Sequence, residues 1–160
     1  IQQLIHLWKF QGRSDLTPAL ASLLLAGSAS PLKPESTEPP ILVPVPTHWR
    51  RRFRRGFDHT WLLAHALRPV LGRETLVRPW LRNTQLRRAQ HRSNRADRWG
   101  NHSDRFIAAA CSGGQHITLV DDVITTGATI EAAVAACEAA GTKSVEVWAL
   151  ARTPATAHAG

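Results

Sequence analysis

One run constrains this chain more than any other: Ile117, Thr118, Leu119, Val120, Asp121, Asp122, Val123, Ile124, Thr125, Thr126, Gly127, Ala128, Thr129. Its apolar, β-branched start reads as a buried strand. Two adjacent carboxylates stand where that strand is expected to end. Two hydroxyls, a glycine and a further hydroxyl follow, and then an alanine-rich stretch over 130–140 with the propensity of a helix. In an open α/β sheet, ligands bind beyond the carboxyl ends of strands. The free amides of a helix N-terminus favour anions. The order strand, acidic pair, small-residue loop, helix therefore predicts a ligand seat at one edge of a sheet.

The residue types narrow the ligand. Thr125, Thr126, Gly127, Ala128 and Thr129 make a tight turn whose amides and hydroxyls point at one place, and Gly127 lets the backbone come close because it has no Cβ. A phosphate monoester fits there. The loop holds no lysine, so amides and hydroxyls carry most of the binding. Asp121 and Asp122 then stand one ribose away. Carboxylates accept hydrogen bonds from a sugar diol and hold Mg²⁺ directly or through water. A phosphate cup beside an acidic pair describes a ribose 5-phosphate site. The plainer alternative is a strand that ends in a solvated Asp-Asp turn. A response-regulator reading would need a phosphorylatable aspartate on a later strand, and too little chain remains. A Walker A loop, a paired-glycine dinucleotide fingerprint and a His-Glu-x-x-His motif are all absent.

These consecutive residues closely resemble the phosphoribosyl-pyrophosphate (PRPP) signature of type I phosphoribosyltransferases: a hydrophobic strand, two acids, two hydrophobic residues, then Thr-Thr-Gly-x-Thr. The resemblance implies an α/β fold with a mostly parallel sheet flanked by helices. It implies PRPP as ligand, with its 5-phosphate at Thr125, Thr126, Gly127, Ala128 and Thr129. Asp121 and Asp122 become the catalytic pair on the ribose hydroxyls, with Mg²⁺ held by them indirectly or through the substrate. No residue identifies the acceptor of the phosphoribosyl group.

At 160 residues the chain suits one domain with one core, here 1–153, and its hydrophobic share of 43% is ordinary for a globular protein. No apolar run is long enough to cross a bilayer, and no signal peptide is visible, so membrane insertion is not expected. Cys111 and Cys137 belong to no Cys-x-x-Cys pair, which leaves a reduced cytoplasm as the default compartment. The formal charge of +8 comes mostly from arginine, whose fork suits phosphate. Such a surface fits nucleic acid or a polyphosphate substrate. Methionine is missing even at position 1, as expected of a piece of a longer protein.

Before the signature, Ile1, Leu4, Ile5 and Trp8 are spaced for a helix. A second helix is expected from Thr17 and Pro18 to about Gly27, with Thr17 as N-cap. Residues 28–40 read as a surface loop. Residues 41–46 read as the first strand, an edge or irregular strand because Pro44 lacks an amide donor. The strand runs into Thr47, His48, Trp49 and a set of arginines interleaved with aromatics. Asp58 then serves as N-cap for a helix bearing Leu62, Leu63, Ala66, Leu67 and Val70. The basic run is either a solvated loop or, emerging beside the acidic pair, a second phosphate binder.

The Pro-Val-Pro strand, His-Trp-Arg, and then Arg-Arg-Gly-Phe-Asp is similar to the ComF/GntX family of phosphoribosyltransferase-like proteins. That similarity makes Thr47, His48 and Trp49 the pyrophosphate loop, with Arg54, Arg55, Gly56 and Phe57 as the Arg-Gly-Phe element. Residues 78–105 lack aliphatic periodicity and read as a mobile basic arm or hood, in which Gln90, Arg98 and Asn101, with Phe106 just after it, match the family's spacing. Arg87 stands where the family has Thr. A turn around Gly114 precedes the signature, Gly141 ends the helix after it, and 145–150 form a last strand before a disordered tail over 154–160. The cysteine-rich zinc segment at the family's N-terminus is not in this sequence, so zinc is not carried over. Two functions follow from the resemblance. One is a phosphoribosyltransferase using Mg²⁺. The other is a non-catalytic competence factor that binds single-stranded DNA or DNA-processing proteins. A homodimer is compatible with either.

Overall fold

The computed structural model describes residues 1–27, 39–46, 57–84, 105–110 and 114–153. Among these the expected α/β architecture is present. Strand β1 (Ile41–Pro44), β2 (Leu76–Val77), β5 (His116–Ile124) and β6 (Ser144–Arg152) form one sheet in the order β2-β1-β5-β6, with every neighbour parallel. Such a sheet is covered on both faces, because its crossovers are helices. On one face lie α1 (Gln2–Phe10), α2 (Thr17–Gly27) and α3 (His59–Leu71), whose Ile5, Trp8, Leu20, Leu24, Leu63 and Leu67 pack with Val120, Trp148 and Leu150. On the other lies α4 (Ala128–Ala139), whose Ala132, Ala133 and Cys137 pack with Val43, Ile117 and Leu119. From Ile117 to Val120 the residues of β5 alternate between these cores, as strand geometry requires.

Several local expectations hold. Asp58 caps α3 by accepting from the Trp61 amide at 3.4 Å. Gly141, with φ +87°, follows the end of α4. Thr17 opens α2, yet its hydroxyl does not cap. It donates to the Ser14 carbonyl at 2.6 Å and accepts from Trp8 Nε1 at 2.9 Å, which ties α1 to α2.

Three expectations are corrected. The first strand, expected to be an edge or irregular at Pro44, is not an edge: β1 lies between β2 and β5. The ladder still accommodates Pro44. Val45 donates to the Val120 carbonyl on the β5 side, while Leu42 accepts from Arg78 on the β2 side. The even positions of β1 thus face β2, and the donor that Pro44 lacks falls where that two-residue strand has ended.

The arm expected over 78–105 also begins and ends in ordered structure. A short strand β3 (Leu81–Asn83) pairs antiparallel with β4 (Phe106–Ala108), and buried Leu81 and Phe106 join the α4-side core. The remainder of that arm, with Gln90, Arg98 and Asn101, lies outside the described residues, as do Thr47, His48, Trp49, Arg54, Arg55, Gly56 and the tail 154–160. Lastly, β5 does not end at the acidic pair. Its pairing with β6 continues through Val123↔Ala151 to Ile124↔Arg152.

Candidate functional site

The carboxyl end of β5 carries the signature residues. Beyond Ile124 the backbone turns through exposed Thr125 and Thr126 to Gly127, which has φ +85° and ψ −23°. That left-handed geometry is open to glycine and costly for a residue with a Cβ. Gly127 is the N-cap of α4, and no side chain caps the helix. An α-helix leaves its first amides without intrahelical partners, so this N-terminus presents uncapped donors at the sheet edge. The Gly127 carbonyl accepts the first helical bond, from Glu131 at 2.9 Å.

Because β5 runs on past the acids, Asp121 and Asp122 are strand residues, only 8% and 6% exposed. Adjacent strand residues face opposite sides. Asp121 follows Leu119 toward α4, and Asp122 follows Val120 toward α1. The two carboxylates therefore have different partners. Asp122 Oδ2 forms an ion pair with Lys9 Nζ at 2.7 Å, the two side chains being 9% and 14% exposed. Its Oδ1 accepts from the Val123 amide at 2.6 Å. Asp121 Oδ1 accepts from the Asp122 amide at 2.8 Å, and no cation lies within ion-pair distance of it among the described residues.

The carboxyl of Asp121 is pushed up to about 6, first by burial and second by the neighbouring Asp122 charge. The amide hydrogen bond and the more distant Lys9 and Arg105 oppose the rise without cancelling it.

Two cations that the sequence reading left out belong to the site. Lys9 is in α1, over a hundred residues from its partner, in a helix expected only to fill core. Arg105 immediately precedes β4. Its Nη1 donates to Thr129 Oγ1 at 2.8 Å, in the first turn of α4, and its guanidinium lies 5.4 Å from the Phe106 ring centre. Neither has a local signature, since each reaches β5 or α4 only through the tertiary fold.

These donors do not by themselves build a Mg²⁺ site. Asp121 and Asp122 diverge, Asp122 is ion-paired, and no cluster of three His, Cys, Asp or Glu suited to a metal exists among the described residues. No helix there is long and apolar enough to cross a membrane.

The arrangement can hold an anion at the α4 N-terminus and offer one buried carboxylate, Asp121, beside it. The chain leaves β1 at Pro46 on this same edge, next to Val120, and the Thr60 hydroxyl fixes that exit by donating to the Val45 carbonyl at 2.8 Å.

No family model matches the chain. Among curated proteins it is 32% identical over 158 residues to the DNA utilization protein YhgH of Escherichia coli K12, an alignment covering 96% of this chain and 67% of that protein. It is 29% identical over 158 residues to competence protein F of Haemophilus influenzae, covering 93% and 66% respectively. It is 31% identical over 145 residues to competence protein ComFC of Streptococcus pneumoniae, covering 91% and 60%. The chain thus spans about two thirds or less of the length of these relatives.

Proposed function

Because this chain belongs to the ComF-like family, we propose that it acts in the handling of DNA, as the names of its competence and DNA-utilization relatives indicate for them. The observation that carries this reading is the likeness to those proteins along almost the whole chain. Its charge of +8, mostly arginine, supports a polyanionic partner. Within that reading, single-stranded DNA is the polyanion we propose as partner.

Fluorescence anisotropy with a labelled single-stranded oligonucleotide tests it. Binding is expected to weaken steeply with salt, with a log–log slope of about −3 or steeper if some four or more phosphates are neutralised. Absence of binding at about 50 mM salt, or a flat salt response, would contradict it.

A second reading is supported by a separate observation, the uncapped N-terminus of α4 beside Asp121. We propose that this edge binds a ribose 5-phosphate group, with PRPP as the complete ligand. The phosphate would meet the amides of α4 and the hydroxyls of Thr125, Thr126 and Thr129. Asp121 would accept from a ribose hydroxyl, while Asp122 stays with Lys9 and fixes the strand. Mg²⁺ would arrive on the pyrophosphate rather than in a protein cage. As a transferase, the protein would let an acceptor nucleophile bond to C1 while the C1–O bond to pyrophosphate breaks and pyrophosphate leaves. Loop amides and shielding from water would favour the cationic sugar and the departing anion. The two readings are compatible, because a fold does not fix a function.

A further inference from the structure

The loop 125–129 contains no lysine or arginine, and amides alone must then balance a doubly charged phosphate. The fold delivers a cation from elsewhere. Arg105 is held on its backbone by Thr84, whose amide and hydroxyl donate to the Arg105 carbonyl at 2.9 and 3.1 Å. The side chain crosses Phe106 to α4, where Nη1 donates to Thr129 Oγ1 at 2.8 Å. This bond pins the guanidinium at the first helical turn.

One further nitrogen of the guanidinium is not satisfied. Arg105 Nε is buried and has no hydrogen-bond partner. The ion pairs among the described residues are Lys9–Asp122 and Arg13–Asp15, so no carboxylate pairs with Arg105 there. A buried N–H without an acceptor is costly and uncommon. In a guanidinium, Nε–H and Nη2–H form one edge that matches two oxygens of a phosphate. Nη1 is engaged by protein, so that edge has no protein partner among the described residues, and a ligand reaches the buried Nε when the side chains covering it shift. The nearby acid is Glu131, an exposed side chain in the same helical turn whose Oε1 lies 3.3 Å from where a Cβ on Gly127 would stand. Being exposed, it can swing aside when a phosphate takes the amides.

We propose that Arg105 is the cation of the phosphate seat, gripping a sugar phosphate monoester through its Nε–Nη2 edge while Thr129 fixes its orientation. This rests on the reading of 125–129 as that seat. It assigns the ligand class as well: the phosphate, rather than the sugar, provides the charge that Arg105 reads. Residues 84, 105, 106 and 129 meet only because β3 and β4 bring the ends of the basic arm onto α4.

Calorimetric titration with ribose 5-phosphate, with ribose and inorganic phosphate as separate ligands, tests the assignment on wild type, Arg105→Gln and Arg105→Lys. Arg105→Gln is expected to weaken ribose 5-phosphate and inorganic phosphate by about 10- to 100-fold, the range for a charged hydrogen-bonding pair. Arg105→Lys, which keeps the charge and loses the fork, is expected to fall between the two. Binding of ribose should be weak and equal in all three. Equal affinity of wild type and Arg105→Gln for ribose 5-phosphate would overturn the role of Arg105 and leave the seat standing. Failure of wild type to bind either phosphate ligand would overturn the seat and, with it, this role. If Arg105→Gln melts before it can be titrated, Arg105→Lys decides alone: a several-fold loss supports the fork, and no loss refutes it.

Discussion

Replacing Asp121 by asparagine should make the ligand-free protein more stable, not less. Asp121 is buried, and its carboxyl titrates at about 6 in the fold against 3.8 in an unperturbed aspartate. The folded state therefore binds the Asp121 proton more tightly than the unfolded chain does. Below about pH 3 the group is protonated in both states and costs nothing. As pH rises from about 3 to 6 the unfolded chain gives up its proton first, and stability falls. Above about 6 the full penalty is present, roughly two pH units at about 1.4 kcal/mol each, or about 3 kcal/mol. Asparagine keeps an oxygen to accept from the Asp122 amide and carries no charge. Asp121→Asn should thus gain about 2–3 kcal/mol at pH 7.5, a rise in melting temperature of about 5–10 °C for a chain of this size. At pH 4 the gain should shrink to about 0.6 kcal/mol, vanishing near pH 3. Urea unfolding of both proteins at the two pH values is the assay. A variant that is destabilised at pH 7.5, or equally shifted at both pH values, would refute the account of Asp121 as an unpaired buried acid.

Two other substitutions probe the same edge. Lys9→Met should cost about 2–4 kcal/mol in urea unfolding, because it leaves the Asp122 carboxylate buried without its cation. Asp122→Asn added to Lys9→Met should recover much of that loss, and simple additivity of the two would argue that the pair is not coupled. Gly127→Ala should cost about 1–2 kcal/mol, since alanine is strained at φ +85°. A neutral Gly127→Ala in thermal melting would mean that the turn adopts another conformation.

How much of this was legible beforehand follows from where each signal resides. The order β5, loop, α4, β6 was readable because its information is local: a β-branched run, a glycine at a left-handed turn, an alanine-rich helix and a glycine stop. Asp58 as a cap was readable for the same reason. The length of β5 was not. Two aspartates look like a strand end, but pairing with the equally long β6 supplies backbone partners as far as Ile124. That one difference places the acids within the sheet and sends them to opposite faces, so a pair in sequence is not a pair in space. Lys9, partly buried against Asp122, looked like the polar end of a helix. Phe106 opens an apolar run over 106–110 that reads as a strand, but Leu81 lies far from it across an arginine-rich stretch, so no periodicity marked the two as partners across β3 and β4. Arg105 was hidden by the same circumstance, since its contact with Thr129 exists only once that small sheet packs on α4.

The central claim is that the α4 N-terminus and Asp121 form a seat for a phosphorylated ribose. Titration calorimetry of the wild-type chain with PRPP and Mg²⁺, repeated with Asp121→Asn, tests it most directly. Saturable binding by wild type, with the more stable Asp121→Asn variant binding at least about tenfold more weakly through loss of a charged hydrogen bond, is the result predicted. No heat of binding in wild type, or the same affinity in both proteins, would contradict it.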